Sequence, residues 1–211
     1  MAKSATESAE KGEPARSAPR RIGAESSATR ALIIAATEQV MREEGYAATS
    51  TRRVAKQAGL KPSLVHYYFP TTEDLLLAVF RKGAEESDRW IDEALGSPDP
   101  LRALWRLMTD TSRTELTLET MALASHRKAI RAEIAIHGEF MRKTQVAALE
   151  RVLGDRLSQL DGMTPAGLSL ILAGIGRAIV MEGALGIHAG HEDARRFVEG
   201  WLDKLAPNQL R

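Results

Sequence analysis

The stretch from residue 49 to residue 72, TSTRRVAKQAGLKPSLVHYYFPTT, constrains the fold of this chain more than any other. It contains two short helical patterns joined at Gly59, which permits a tight turn. Thr49 or Ser50 can cap the first helix. Pro62 suits the first turn of the second helix, where its missing N–H is not needed. Two short helices at this spacing predict a helix-turn-helix.

The two helices each have an apolar and a polar side. Val54 and Ala55 lie on one side of the first helix and Arg52 on the other, whereas Val65 and Phe69 share one face of the second. All charges in the stretch are basic, and they come from Arg52, Arg53, Lys56 and Lys61. Cations neutralise phosphates, and short polar or aromatic side chains at the start of a helix can reach base edges. The pattern favours contact with DNA, although a solvated helical hairpin would carry the same charges.

Further landmarks surround this stretch in an unbroken order. They are Ile33-Ile34-Ala35-Ala36, Val40-Met41, Glu44-Gly45-Tyr46, Ala48-Thr49-Ser50, Val54-Ala55, Ala58-Gly59-Leu60, Tyr67-Tyr68-Phe69 and Glu73-Asp74-Leu75-Leu76. Together they resemble the N-terminal domain of TetR (tetracycline-repressor) family regulators over about residues 28–80. Beyond that point the resemblance is architectural only. It implies an all-helical, dimeric, ligand-responsive DNA-binding protein.

The resemblance also implies which residues contact DNA. The matching positions in the first helix of the motif are Thr51 and Arg52. Those in the second helix are Pro62, Ser63, Leu64, His66, Tyr67 and Tyr68, to which we add the basic Lys61 at the turn. The chain departs from the family pattern at His66, where Tyr is usual, and at Thr72, where Lys is common. At Thr72 a hydroxyl or a backbone N–H would have to replace that cation.

The sequence divides into three parts. Residues 1–25 lack large apolar side chains and predict a disordered arm. Its Arg16, Arg20 and Arg21 could follow DNA, although an inert solvated tail is the simpler interpretation. Residues 26–74 predict the helix-turn-helix domain, and residues 75–207 an all-α ligand-binding and dimerisation domain. Thr71 and the acids after it predict a capped helix running to about residue 95, which would link the two domains mechanically.

A predicted helix over about residues 128–157 carries an apolar stripe that His137 and Thr144 interrupt. A histidine there can be an ordinary core residue, or it can be a polar group inside a mostly apolar ligand cavity. Apolar side chains that could line such a cavity are Trp105, Met108, Met121, Phe140 and Met141. We therefore predict a site for an unknown, largely apolar effector between these helices and the end of the linking helix.

The stretch from residue 165 to residue 188 is apolar on nearly every side. One predicted face carries Leu168, Ile171, Ile175, Ala178 and Leu185, and the other carries Leu170, Ala173, Val180, Ala184 and Ile187. A helix of this kind is buried on both sides. We expect one side to face its own domain and the other a second copy, which predicts a homodimer. The alternative is the central helix of a monomeric bundle.

Composition and the absence of known motifs argue against several classes of protein, namely membrane proteins, metalloproteins and enzymes. The 211 residues contain no Cys, the formal net charge is +1, and no uninterrupted apolar run reaches membrane-spanning length. We therefore expect a cytoplasmic protein that is not bound to a membrane. His188 and His191 lack a third metal ligand at a fixed offset, and no catalytic or cofactor motif is found. The chain is predicted to be a transcriptional regulator without a cofactor, most simply a repressor, and not an enzyme. The alternative is a helical ligand-binding or protein-interaction dimer without DNA binding.

Overall fold

The computed structural model of the chain describes residues 27–154 and 162–205, and these residues contain helices and no strand. The α-helices are α1 (Ala28–Glu44), α2 (Thr51–Ala58), α3 (Pro62–Tyr68), α4 (Thr72–Leu95), α5 (Pro100–Met108), α6 (Thr114–His126), α7 (Lys128–Leu153), α8 (Pro165–Ala184) and α9 (His191–Leu205). A short 3-10 helix, Tyr46–Ala48, separates α1 from α2. The predicted all-α fold is confirmed. The predicted arm lies outside the described residues.

Local capping sets the bounds of the N-terminal helices. The Ser27 hydroxyl accepts a hydrogen bond from the Arg30 N–H at 3.1 Å, and α1 ends at Gly45, whose φ of 80° favours glycine. Ser50 rather than Thr49 caps α2, since its hydroxyl accepts from the Arg53 N–H at 3.2 Å. Gly59, at φ 66°, then makes the turn into α3.

The linking helix α4 begins with a reciprocal cap. The Asp74 N–H donates to the Thr71 hydroxyl at 3.0 Å, and the Thr71 N–H donates to the Asp74 carboxylate, also at 3.0 Å. This capping box satisfies backbone groups that a helix start leaves unpaired. The helix then continues for 24 residues to Leu95. Its first turn therefore lies directly after α3, and its last turns pack against Leu104 of α5.

One hydrophobic cluster holds the helix-turn-helix in place. Val65 of α3 and Phe69, which follows its last residue, are 0% and 2% exposed, and they pack with side chains of α1, α2 and α4. The same cluster also contains Leu116 and Leu123 of α6 and Ile130 of α7. The core of the N-terminal helices is therefore continuous with the helices that follow, and the predicted boundary at residue 74 is not a gap in packing.

The C-terminal helices have a core of their own. Trp105 of α5 is 2% exposed and packs with Leu149 of α7, Leu172 of α8 and Leu202 of α9. A third, smaller cluster joins the end of α4 to Leu104. The apolar stretch over residues 165–188 is not helical throughout, because α8 ends at Ala184, before Gly186 at φ 79°.

The α8 helix has one buried and one exposed side, but they differ from the two predicted faces. Leu168, Leu172 and Ile179 are buried, whereas Ile171 and Leu185 are 46% and 74% exposed. The buried positions are spaced by four and by seven residues, and Ile171 lies outside this buried side. By length and composition α8 could cross a membrane, with 28% of its most apolar window buried. Its buried side packs in the core described above, and its other side is exposed.

Candidate nucleic-acid interface

The α3 helix is anchored on one side and open on the other. Val65 and Phe69 fix it to the core, and Tyr68 is half-buried. The residues that face solvent are Pro62, Ser63, Leu64, His66 and Tyr67. Tyr67 is 50% exposed, and its ring stands edge-on to that of Tyr68 with centroids 5.3 Å apart. A short helix held in this way presents a hydroxyl, an imidazole and a phenol from a rigid base.

The cations of the motif divide into two kinds. Arg52, Lys56 and Lys61 are exposed, and they form no ion pair within residues 27–154 and 162–205. Arg53 differs, because its Nε donates to the Glu44 carboxylate at 2.9 Å. That hydrogen bond lowers the pKa of Glu44 and raises the pKa of Arg53. Three of the four cations of the motif are therefore exposed and outside ion pairs among the described residues, whereas Arg53 is neutralised by Glu44 of α1.

The predicted contact at Thr72 lies at the start of α4. Thr72 is half-buried and is the first residue of the helix, next to Glu73 and the capping Asp74. The Asp74 carboxylate is occupied by Thr71, which donates to it from both its N–H and its hydroxyl. This start of α4 supplies no cation, so a phosphate there would meet only hydroxyl and backbone N–H groups.

The ten predicted DNA contacts form a continuous segment of the fold. Two lie on α2, seven lie at or within α3, and one lies at the start of α4 (Thr51, Arg52, Lys61, Pro62, Ser63, Leu64, His66, Tyr67, Tyr68 and Thr72). The α2 and α3 helices belong to one hydrophobic cluster through Val54, Ala55 and Val65. The structure thus places the predicted residues on adjacent helices at one end of the chain.

A chain of ion pairs behind this surface was not predicted from the sequence. Lys82 of α4 lies 3.0 Å from Glu38 of α1 and 3.0 Å from Glu86 of α4. Arg113, just before α6, lies 2.5 Å from the other oxygen of Glu86. Burial opposes the charge on Lys82, but hydrogen bonds to both carboxylates outweigh it and raise its pKa. Burial likewise opposes the charge on Glu86, and Arg113 and Lys82 together lower its pKa.

A second missed contact joins α6 to the helix-turn-helix. The Glu119 carboxylate accepts a hydrogen bond from the Tyr46 N–H at 2.6 Å. A Cβ on the neighbouring Gly45 would lie 3.4 Å from that carboxylate. The α6 helix therefore touches the turn that leads from α1 into α2. No local sequence signal could indicate this contact, because the partners are 73 residues apart.

The six predicted ligand residues do not line one cavity. Trp105 is a core residue, Met108 packs beside it, Met121 is 46% exposed, and Met141 packs against the third cluster. The surroundings of these residues differ because α5, α6 and α7 present their side chains to different parts of the helical bundle. Only His137 and Phe140 reach a shared groove of about 360 Å³ between α4 and α7. Its lining comprises Phe80, Arg81, Ala84, Glu85 and Asp88 of α4 and Glu133, Ile136, His137 and Phe140 of α7.

The two polar residues of the α7 stripe have different surroundings. The His137 ring stands edge-on to Phe80 with centroids 6.0 Å apart, and its Nδ1 is 4.0 Å from the Asp88 carboxylate. That distance is too long for a hydrogen bond. The Thr144 hydroxyl instead donates to the Phe140 carbonyl at 3.2 Å, within its own helix. His137 thus faces the groove, whereas Thr144 is satisfied locally.

The outer surface of α8 and α9 is apolar. Leu170 is 59% exposed on α8, and Phe197 is 72% exposed on α9. At the end of α8, the Glu182 carboxylate and the His191 ring nitrogen are 2.9 Å apart, and the His188 ring centroid lies 5.9 Å from that of His191. No group of three metal-ligating side chains occurs within the residues that the structure describes.

An all-helical chain with this two-helix motif at its N-terminal end belongs to the helix-turn-helix DNA-binding proteins. Residues 33–79 match the family model of bacterial regulatory proteins of the tetR family. Over these residues the chain is similar to the N-terminal DNA-binding domain of TetR-family transcriptional regulators.

Solved structures share the fold across most of the chain. A TetR transcription regulator from Haloarcula marismortui superposes with a TM-score of 0.67 at 22% identity, covering 84% of this chain and 97% of that one. A putative regulator from Saccharomonospora viridis, solved in complex with choline, gives 0.68 at 18% identity, covering 82% and 95%. Identities at this level establish the fold alone.

The fatty acid metabolism regulator protein of Bacillus subtilis matches over a shorter region. It is 36% identical over 50 residues, which span 24% of this chain and 26% of that protein. The chain therefore matches about a quarter of this relative's length.

Proposed function

We propose that the chain is a homodimeric repressor whose affinity for operator DNA falls when a small molecule binds among its C-terminal helices. The observation that carries the DNA-binding part is that α3 is buried on one side and exposed on the other. Val65 and Phe69 are almost fully buried, while Ser63, His66 and Tyr67 face solvent. A rigid helix that exposes hydrogen-bonding side chains beside unpaired cations suits entry into a major groove.

The proposed contacts divide by chemistry. Arg52 and Lys61 bind phosphates, and they supply affinity that depends on salt. Thr51 and Thr72 add hydroxyl contacts to the backbone. Base edges are read from α3, by the side chains of Ser63, Leu64, His66, Tyr67 and Tyr68, with Pro62 at its first turn.

The proposed dimer uses the exposed apolar side of α8 together with α9. Leu170, Ile171 and Phe197 would each be removed from water, and burial of apolar area stabilises association by about 25 cal/mol per Å². A two-fold dimer places its two α3 helices to read two half-sites, which must lie about 34 Å apart or a multiple of that distance. We propose that the protein acts in the cytoplasm, where operator DNA is found.

The proposed response to a ligand runs through α4. This helix starts beside α3 and lines the α4–α7 groove at its centre. A ligand that separates α4 from α7 would tilt α4 and change the distance between the two α3 helices. Allosteric coupling of about 1–3 kcal/mol corresponds to a loss of about 5–150-fold in operator affinity.

In vitro selection from a random-sequence duplex library tests the proposal. The purified full-length chain should enrich a sequence with two-fold symmetry and half-sites one helical turn apart or a multiple of it. Binding to that sequence should be lost at high salt. A failure to enrich any sequence would contradict the proposal and favour a helical ligand-binding or protein-interaction dimer that does not bind DNA.

A further inference from the structure

The groove between α4 and α7 is lined by aromatic rings and carboxylates. Its volume of about 360 Å³ lies within the ordinary range of small-molecule sites. At its rim, Ile136 and Phe140 are 70% and 55% exposed although both are large and apolar. Deeper in the groove, Phe80 and His137 stand edge-on to each other. The groove therefore offers ring faces to a ligand that is at least partly apolar.

The charges of the groove do not balance. Arg81 and Glu133 face each other across it at 2.6 Å and offset each other. Glu85 and Asp88 also line the groove, and each adds a formal negative charge. Two unbalanced carboxylates beside aromatic rings give the groove a negative potential.

One of these carboxylates has an unused acceptor. The Asp88 Oδ1 atom is buried and has no hydrogen-bond partner among the residues that the structure describes. Its nearest cationic candidate, His137 Nδ1, is 4.0 Å away, beyond hydrogen-bond reach. The side chain of Asp88 is 38% exposed and belongs to the lining of the groove. A buried acceptor without a partner is costly, and an incoming positive charge would offset that cost.

From this combination we propose that the α4–α7 groove binds an organic cation with an apolar body. The positive centre lies beside Asp88 and Glu85, against the ring faces of Phe80 and His137, where cation–π attraction adds to the charge interaction. The apolar body covers Phe140 and Ile136 at the rim. The inference rests on the proposed function, because it names the class of effector for the same C-terminal site.

Other ligand classes fit the groove less well. An organic anion would meet two carboxylates, with Arg81 already engaged by Glu133. A wholly uncharged ligand would cover the Asp88 carboxylate without compensating it, which removes water from a charge at a cost. The sequence alone favoured a largely apolar effector, and the positions of Glu85 and Asp88 in the groove change that expectation.

Calorimetric titration of the full-length protein with two probes of the same shape tests the proposal. The first probe is benzyltrimethylammonium, and the second is neopentylbenzene, in which a carbon replaces the charged nitrogen. The cation should bind at least about tenfold more tightly than its uncharged isostere. Asp88→Asn should lower the affinity for the cation by about tenfold and leave the affinity for the isostere unchanged. Glu85→Gln should change the two affinities in the same direction.

The matched control is Glu93→Gln, an exposed acid on α4 that does not line the groove. It should leave both affinities unchanged. Equal binding of the two probes, no binding of the cation, or tighter binding of phenylacetate would each overturn the proposal. So would a loss in Glu93→Gln as large as that in Asp88→Asn.

Operator binding, measured on the same samples, separates this inference from the proposed function. If the cation binds as expected but leaves operator affinity unchanged, the cation site is supported and the ligand response fails. If operator binding responds equally to the cation and to its isostere, the ligand response is supported and the cation site is overturned.

Discussion

At the scale of single residues, Arg52 and Arg53 are adjacent and basic, yet their surroundings differ. Arg52 is exposed and has no ion-pair partner in the described part of the chain, whereas Arg53 is held by Glu44. A guanidinium already paired with a carboxylate has less charge to offer a phosphate. Sequence reasoning could place both cations on α2, but it could not assign Arg53 to Glu44, because that contact depends on how α1 and α2 cross.

Arg52→Ala should weaken binding to all DNA sequences by a similar factor and lower the slope of log affinity against log salt by about 0.9. Arg53→Ala is the matched control and should leave that slope nearly unchanged. Fluorescence anisotropy over a salt series measures both. Equal changes in slope would contradict the division of the cations into free and paired.

Tyr67→Ala and Ser63→Ala should instead change which operators are preferred, because these side chains are proposed to read bases. A lost base contact costs about 1–3 kcal/mol at the site it reads and less elsewhere. Repeating the selection with each variant measures the preference. An unchanged operator preference in both variants would remove α3 as the reading helix.

Gly176 is a residue whose size the fold limits. A Cβ there would lie 2.7 Å from the Met108 carbonyl oxygen of α5. Gly176→Ala should therefore lower the free energy of unfolding by about 1–3 kcal/mol through overpacking. Gly174→Ala, where a Cβ meets nothing within 4 Å, should be neutral or stabilise by up to about 1 kcal/mol. Urea unfolding at one protein concentration compares them. Equal effects would mean that α5 and α8 are not in close contact.

At the scale of elements, α4 is tied to α1 and to the start of α6 by the ion pairs of Glu38, Lys82, Glu86 and Arg113. The pKa of Glu86 is lowered in the fold, so its contribution to stability is present above its unfolded value of about 4.5 and is lost as the pH falls through the folded value. The pKa of Lys82 is raised, so its contribution is present below about 10.5 and is lost as the pH rises through the folded value.

Glu86→Gln should therefore destabilise the protein at pH 7, and its effect should shrink as the pH falls through the lowered pKa of Glu86 in the fold. Urea unfolding at several pH values measures the difference, with Glu93→Gln as the control on the same helix. A constant difference between wild type and Glu86→Gln across this range would show that the ion pairs do not stabilise the fold.

The elements themselves were largely predictable, and the contacts between them were not. Ser27, Gly45, Ser50, Gly59 and Thr71 mark helix ends with local hydrogen bonds or positive φ angles, which sequence patterns reveal. The Glu119–Tyr46 contact and the groove depend on how distant helices pack, and no local pattern encodes that. Periodicity also misassigned Ile171, because a helix that is apolar all round gives no signal for which side faces the core.

At the scale of the whole molecule, the apolar outer side of α8 and α9 supports the proposed dimer. Ala184→Asp places a charge at an exposed position at the end of α8 and should yield monomers or insoluble protein, with loss of operator binding. Ala122→Asp, at an exposed position on α6, is the matched control and should remain dimeric. Sedimentation velocity measures both. A soluble, dimeric Ala184→Asp protein would move the interface elsewhere.

Ligand binding and operator binding are proposed to oppose each other through α4. The most direct test is the affinity of one ligand, benzyltrimethylammonium, for the free protein and for the protein saturated with its selected operator. If the ligand lowers the affinity for operator by about 5–150-fold, reciprocity requires the operator to lower the affinity for the ligand by the same factor. Benzyltrimethylammonium should therefore bind the operator-bound protein about 5–150-fold more weakly than the free protein. Identical ligand affinities in the free and operator-bound protein would contradict this prediction, however tightly the ligand binds.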